Sequence, residues 1–261
     1  MTELNGIRVL ITGATSGLGA AMAAALAEAG ARVMVTGRDK LRANATARKL
    51  GSAVISCPLD VRDERSVADC VARACDTWGG VDMLVNNAGI GMRTVNPRFM
   101  SEPQPFWKVT PAGFHDVVDT KLTGCFLMAR EVVPLMLRNG GGRIVNISMN
   151  QQTMVRQGFV PYGPAGAGVE ALSRIMAADL AGSSVTVNLL LPGGRGTLSE
   201  MVPDDVPTEI RARLQAPAIM GPPIVWLASK QAAGVHDRRF VATEFDADHM
   251  VWPVCQPGSP R

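Results

Sequence analysis

The chain is 261 residues long, with 47% hydrophobic, 19% charged and 5% aromatic residues and a net charge of +3. That composition suits one large α/β domain or two small ones, with Ala, Val, Leu and Met filling the core. The weak charge argues against a nucleic-acid face, three histidines and five scattered cysteines offer a metal no clustered donors, and no apolar run reaches the roughly 18 residues of a membrane span.

The N-terminus, "MTELNGIRVLITGATSG", lacks a basic segment followed by an apolar stretch and a cleavage site, so no signal peptide is expected. Cys57, Cys70, Cys75, Cys125 and Cys255 form no C-x-x-C pair and read as reduced thiols of a cytoplasmic protein. Short β-rich runs then alternate with Ala-rich helical runs. "RVLIT" (8–12) predicts a strand, 17–29 a helix capped by Gly30, "RVMVT" (32–36) a second strand, and 39–50 a helix closed by Gly51. "AVISC" (53–57) predicts a third strand, 64–77 a helix and "MLVNN" (83–87) a fourth strand. "RIVNIS" (143–148), "VTVNLLL" (185–191) and "RFVAT" (239–243) supply three more, with helices before and between them. Continuously apolar strands, each followed by a helix, predict a parallel sheet covered on both faces. The rhythm breaks at 90–111, rich in proline and bulky aromatics, and at 192–223, rich in Gly and Pro. Both are expected at the carboxyl ends of strands, where ligands bind in such sheets. No linker or repeat interrupts the pattern, so 1–261 is expected to be one domain, with 250–261 as a loose tail.

"LITGATSGLGAAMAAAL" (10–26) combines a strand, a glycine turn and a small-residue helix. Gly13 permits the turn, Gly17 lets backbone approach a pyrophosphate, and Gly19 lets the helix pack close to the strand; the helix N-terminus offers its N–H groups to phosphate. The second strand ends "VTGRD" (35–39), with Gly37 and Arg38 where an NAD-preferring site carries a ribose-binding carboxylate. A guanidinium suits a 2′-phosphate, which predicts NADP(H) over NAD(H). The competing reading makes Arg38 a solvated surface residue. Asp39 is expected to cap the following helix.

The spacing T-G-x-x-x-G-x-G (Thr12, Gly13, Gly17, Gly19), with "NNAG" at 86–89, resembles the short-chain dehydrogenase/reductase family. Agreement continues through "LDVRD" (59–63), "GGGRIVNIS" (140–148), "LPGGRGT" (191–197) and "GPPIVWLAS" (221–229), covering about residues 6–245. The resemblance implies an α/β fold with a Rossmann-like, doubly wound parallel sheet of about seven strands and helices on both faces. It implies an NADP-dependent oxidoreductase acting on a small-molecule carbonyl or alcohol, without nucleic-acid or membrane partners. The cofactor would be held by Thr12, Gly13, Thr15, Ser16, Gly17, Leu18 and Gly19, by Arg38, Asp60 and Val61, by Asn87, Ala88 and Gly89, and by Tyr162, Pro192, Gly193 and Thr197. It also implies a homodimer or homotetramer, built on the apolar faces of 114–137 and 169–181.

In that family a Tyr moves the proton, and a Lys four residues later lowers the Tyr pKa and holds the nicotinamide ribose. A Ser polarises the substrate oxygen, and an Asn before the fifth strand anchors a proton relay. A phenol of pKa ~10 needs a nearby cation to ionise near neutrality, and a developing alkoxide needs donors. Tyr162, the only tyrosine, matches the first position. The Lys position is Gly166. The Ser position, thirteen residues before Tyr162 and six after Arg143, is Met149, and the Asn position is Lys121 in "TKLTG". Ser148 is one residue early and is expected to face the other way if the strand is still extended there.

Three accounts remain open on these residues. Lys121 reaches into the hole left by the missing lysine and serves Tyr162, with Ser148, Asn150 or Gln151 donating to the substrate oxygen. Alternatively, the hydride goes to an activated acceptor, an imine or conjugated C=C. In the third, the protein binds nucleotide or a partner without turnover, and Lys121 is a solvated helix lysine. Phe99, Phe106 and Trp107 suggest a lid or wall over the substrate, and Met92, Met149, Met154, Phe159 and Met201 an apolar lining. The alternative is that this insertion packs against a neighbouring subunit. Gly163, Gly166 and Gly168 leave a poor helix start beside Tyr162, Gly166 and Gly168 each costing ~1 kcal/mol relative to Ala.

Overall fold

Seven strands, Arg8–Ile11 (β1), Arg32–Gly37 (β2), Val54–Pro58 (β3), Met83–Asn86 (β4), Gly142–Ile147 (β5), Val185–Leu191 (β6) and Arg238–Val241 (β7), pair into one parallel sheet. Their order is β3-β2-β1-β4-β5-β6-β7, in a computed structural model that describes residues 3–194, 197, 201–203 and 205–247. The order reverses between β1 and β4, which opens a crevice at their carboxyl ends. The expected doubly wound sheet is present, and the strand ends differ from the sequence reading by a residue or so.

The side-chain period of two sends alternate strand residues to two separate cores. Val9 and Ile11 of β1, Val33 and Val35 of β2, and Met83 and Val85 of β4 enter one core, while Leu10, Met34 and Leu84 enter the other. The first core is closed by Gly17–Glu28 (α1), through Met22 and Leu26, and by Gly221–Ala228 (α9), through Ile224 and Trp226. The second is closed by Glu64–Trp78 (α3), Gly124–Arg138 (α5) and Tyr162–Asp179 (α7), through Val67, Met128 and Ala177, while the one-turn helices Gln151–Met154 (α6) and Thr208–Arg211 (α8) add nothing to either core. Because strands are buried on both faces, they read as unbroken apolar runs. Lys40–Leu50 (α2) starts one residue later than expected because Asp39 caps it, accepting from Leu41 N at 2.8 Å and Arg42 N at 3.1 Å.

Pro111–Val118 (α4) and α5 form one continuous rod joined by a π-turn over Asp119–Thr123. Such turns widen the helix locally and re-aim the side chains on them. Thr120 and Lys121 of this turn are buried. The segment 90–111 folds over the β5–α7 end of the sheet. Its Met92 and Phe99 form a buried cluster with Phe159, Phe99 meeting Phe159 edge-to-face at 5.4 Å, and Tyr162 packs against it. Phe106 and Trp107 are exposed and meet edge-to-face, ring centroids 5.2 Å apart. The 250–261 tail, Cys255 included, lies outside the described residues, as do Arg195 and Gly196 of "LPGGRGT".

Candidate active site

The turn after β1 is braced from the loop after β4. Thr12 is buried, and its hydroxyl oxygen accepts from the main-chain N–H groups of Asn87 and Ala88, both at 2.9 Å. Asn87 Nδ2 returns two bonds, to the carbonyls of Thr12 (3.0 Å) and Gly13 (2.9 Å). Gly13 adopts φ 62°, and a β-carbon there would strike the Ala88 backbone, so only glycine fits. The N-termini of α2, α3 and α4 carry side-chain caps from Asp39, Asp63 and Thr110. That of α1 does not: Ser16 makes no capping bond, and the first turn holds no acidic residue. The first N–H groups of α1 and its positive dipole end are thereby left for an external anion.

At the end of β2, Thr15 packs over Gly37, where any side chain would displace it. Arg38 is exposed and has no ion-pair partner among the described residues. Asp60, by contrast, is engaged. Arg62 grips it through Nε (3.0 Å) and Nη2 (2.7 Å), and that pairing holds its carboxyl below the usual carboxylate range. Val61 is buried against Gly124. After β6, Gly193 (φ 79°) faces Thr243 and Val241, and Thr197 bridges to Gln215.

Tyr162 opens α7 and is half-buried. Lys121 does not point to solvent. It is 8% exposed, its Nζ lies 5.4 Å from the Tyr162 ring centroid, and its one hydrogen bond is a long one, to the Ile147 carbonyl at 3.5 Å. Ammonium over an aromatic face is attractive, yet it replaces little of the lost water. Burial accordingly pushes the Lys121 amine down to about 8 and lifts the Tyr162 phenol above its ordinary value. Neighbouring Cys125 is pushed up to about 12 by burial, so it stays a thiol. Near neutrality the pair therefore holds a protonated phenol beside an amine that exchanges protons readily.

The remaining positions fall differently. Ser148 turns its hydroxyl to Glu170 Oε1 at 2.5 Å, two turns along the helix that Tyr162 opens. Asn150 Nδ2 donates to the Gly194 carbonyl at 2.8 Å, and Gln151 is exposed. Met149 is buried and fills the space over Gly166: a β-carbon on that glycine would sit 2.5 Å from Met149 Cε and 2.9 Å from its Sδ. Gly163 likewise lies against the Met154 carbonyl, and Gly168 against Leu122. The glycines that weaken the start of α7 are therefore where three neighbours press on it.

A family model described as short chain dehydrogenase matches residues 8–208. The chain belongs to this family. It is 33% identical over 237 residues to a 3-oxoacyl-[acyl-carrier-protein] reductase of Vibrio cholerae, covering 88% of this chain and 93% of that protein. It is 32% identical over 185 residues to an NADP-dependent 3-hydroxy acid dehydrogenase of Salmonella typhi, covering 71% of each. Among solved structures, a 3-ketoacyl-(acyl-carrier-protein) reductase from Brucella melitensis complexed with NADH superposes with a TM-score of 0.80 at 29% identity, covering 92% of this chain and 97% of that one. A second solved structure, from Agrobacterium tumefaciens, gives 0.79 at 31% identity, covering 92% and 95%.

Two residues beside the site of this short-chain dehydrogenase escaped the sequence reading. Glu170 accepts from both Ser148 and Arg239, and Arg239 also donates to the Met149 carbonyl at 3.0 Å. Their sequence separation of 69 residues leaves no local signal. No described helix is long and apolar enough to cross a membrane, and no group of three metal-ligating side chains occurs among the described residues.

Proposed function

We propose that the protein is an NADP(H)-dependent oxidoreductase. It moves hydride between the nicotinamide and a small, fairly hydrophobic carbonyl or alcohol, or an activated acceptor such as an imine or conjugated C=C. The observation that carries the reading is the approach of Lys121 Nζ to the Tyr162 ring, with no carboxylate paired to it among the described residues. The uncapped start of α1, the Gly13 turn and the exposed Arg38 fit a phosphorylated dinucleotide. Thr12, Gly13, Thr15, Ser16, Gly17, Leu18 and Gly19 would hold its pyrophosphate end, Arg38 its 2′-phosphate, and Asp60 and Val61 its adenine. Asn87, Ala88, Gly89, Tyr162, Pro192, Gly193 and Thr197 would line the nicotinamide end. When bound, the nicotinamide supplies or takes the hydride.

Tyr162, kept protonated by burial, gives its proton to the substrate oxygen in reduction. Lys121 stabilises the phenolate that results, and its amine returns a proton from solvent. Lys121 so replaces, from the α4–α5 rod, the lysine that Gly166 lacks. Ser148 is the candidate second donor, and it exchanges Glu170 for substrate to act. The cluster of Met92, Phe99 and Phe159 beside Tyr162 supports an apolar substrate, with 90–111 as its wall within a single domain. The exposed Phe114, Phe126 and Ile175 support a homodimer or homotetramer through α4, α5 and α7, and four free thiols support a cytoplasmic setting.

The test combines nucleotide-induced thermal shifts with a screen of NADPH consumption over ketones, imines and enones. NADPH is expected to stabilise more than NADH and to be consumed with at least one class. Binding with no turnover on any class would contradict the reading.

A further inference from the structure

The loop after β5 is held at three successive residues by other parts of the fold. Glu170 takes the Ser148 hydroxyl, Arg239 Nη2 takes the Met149 carbonyl, and the Gly194 carbonyl takes Asn150 Nδ2. Glu170 and Arg239 are themselves joined, Nε to Oε1 at 2.8 Å, across α7 and β7. One planar guanidinium thus bridges a carboxylate and a main-chain carbonyl, a geometry an ammonium cannot copy with both donors in place. Between these anchors, the Met149 side chain has entered the hollow of Gly166, and the three atoms nearest a β-carbon built there all belong to Met149. An unbranched thioether has many rotamers, so its place in that hollow depends on where the loop holds its backbone.

We propose that Glu170 and Arg239 are positioning residues that hold Met149 in the hollow of Gly166, closing the α7 side of Tyr162 so that Lys121 alone serves it from the α4–α5 rod. This rests on the Tyr162–Lys121 reading above. It makes the departures at Met149 and Gly166 one packed unit and ties that unit to an ion pair behind it.

Arg239→Met is expected to lower kcat at least tenfold while KM and the Kd for NADPH stay within twofold. It should also speed amide exchange in 148–154 at least tenfold, leaving α1 unchanged. Arg239→Lys is expected to recover part of kcat, since one donor survives. A thermal cycle tests the hollow without any substrate. Gly166→Ala should gain less Tm in the native background, where its methyl must displace the end of the Met149 side chain, than in its absence. In the Met149→Ala background it should raise Tm by about 2–4 °C, because alanine suits a helix interior better than glycine. Unchanged exchange in 148–154, or a kcat loss matched by an equal loss of NADPH affinity, would overturn the clamp. An equal ΔTm in both backgrounds would overturn the packed unit. An enzyme that turns over no substrate would instead defeat the Tyr162–Lys121 reading, and exchange and the thermal cycle would still decide this one.

Discussion

At the β1–β4 end of the crevice, the Thr12 and Asn87 side chains brace a glycine turn by bonding to main-chain groups. At the β5–α7 end, Tyr162 meets an amine from the α4–α5 rod, and the place beside it on its own helix is taken by a thioether from the preceding loop. The first end works through backbone shape, so its residue types are fixed by what the backbone must do. On the proposed function the second would work through charge delivered to a point, and charge can be delivered from more than one direction. A glycine turn of the family's spacing at one end and an amine arriving from another helix at the other would then be compatible in a single fold.

The sharpest break is at the phenol. Tyr162→Phe keeps the ring on Met92, Phe99 and Phe159 but removes the proton, and turnover should fall by about 10²–10⁴ with NADPH binding retained. Comparable loss of binding would mean that the two ends are not separable.

Burying the Lys121 ammonium opposes folding. Its pKa falls from 10.5 to about 8, which at about 1.4 kcal/mol per unit is a penalty of about 3 kcal/mol. Below about pH 8 both folded and unfolded chains carry the proton, and the penalty is complete. Between pH 8 and 10.5 the unfolded chain holds more protons, so stability rises with pH as the penalty lifts. Lys121→Met should therefore be more stable than the native protein at pH 7, and the gain should vanish by pH 10.5. Denaturant melts across that range check it, and equal stability at pH 7 would sink the desolvation argument.

At the other end, Thr12→Val leaves the Asn87 and Ala88 N–H groups without their acceptor and should destabilise by ~1–3 kcal/mol, read as a lower Tm and weaker nucleotide binding. Smallest is Arg38→Ala. Losing one charge-assisted contact should weaken NADPH binding about tenfold and leave NADH nearly unchanged. Equal weakening of both would return Arg38 to a plain surface residue.

The sheet was legible because burial on both faces forces unbroken apolar runs, and the cofactor turn because Gly13 needs a conformation that few residues adopt. Asp39 was legible as a cap because capping is local. The hole expected at Gly166 for Lys121 is occupied by Met149, and the π-turn that carries Lys121 has no sequence signature. Met149 was expected among the residues lining the pocket; instead it fills the Gly166 hollow, a contact set by two elements meeting in space. Glu170 and Arg239 went unread for the same reason. The glycines of "YGPAGAG" looked like a weak helix start and prove to be contact points, since propensity is judged residue by residue while packing is not.

Whether Lys121 serves Tyr162 is decided by steady-state NADPH oxidation in Lys121→Met, measured beside its NADPH affinity. A fall in kcat of at least a hundredfold is expected with Kd within twofold of the native protein, together with a native reductive rate that declines as pH rises through about 8. Native turnover in Lys121→Met would contradict that role.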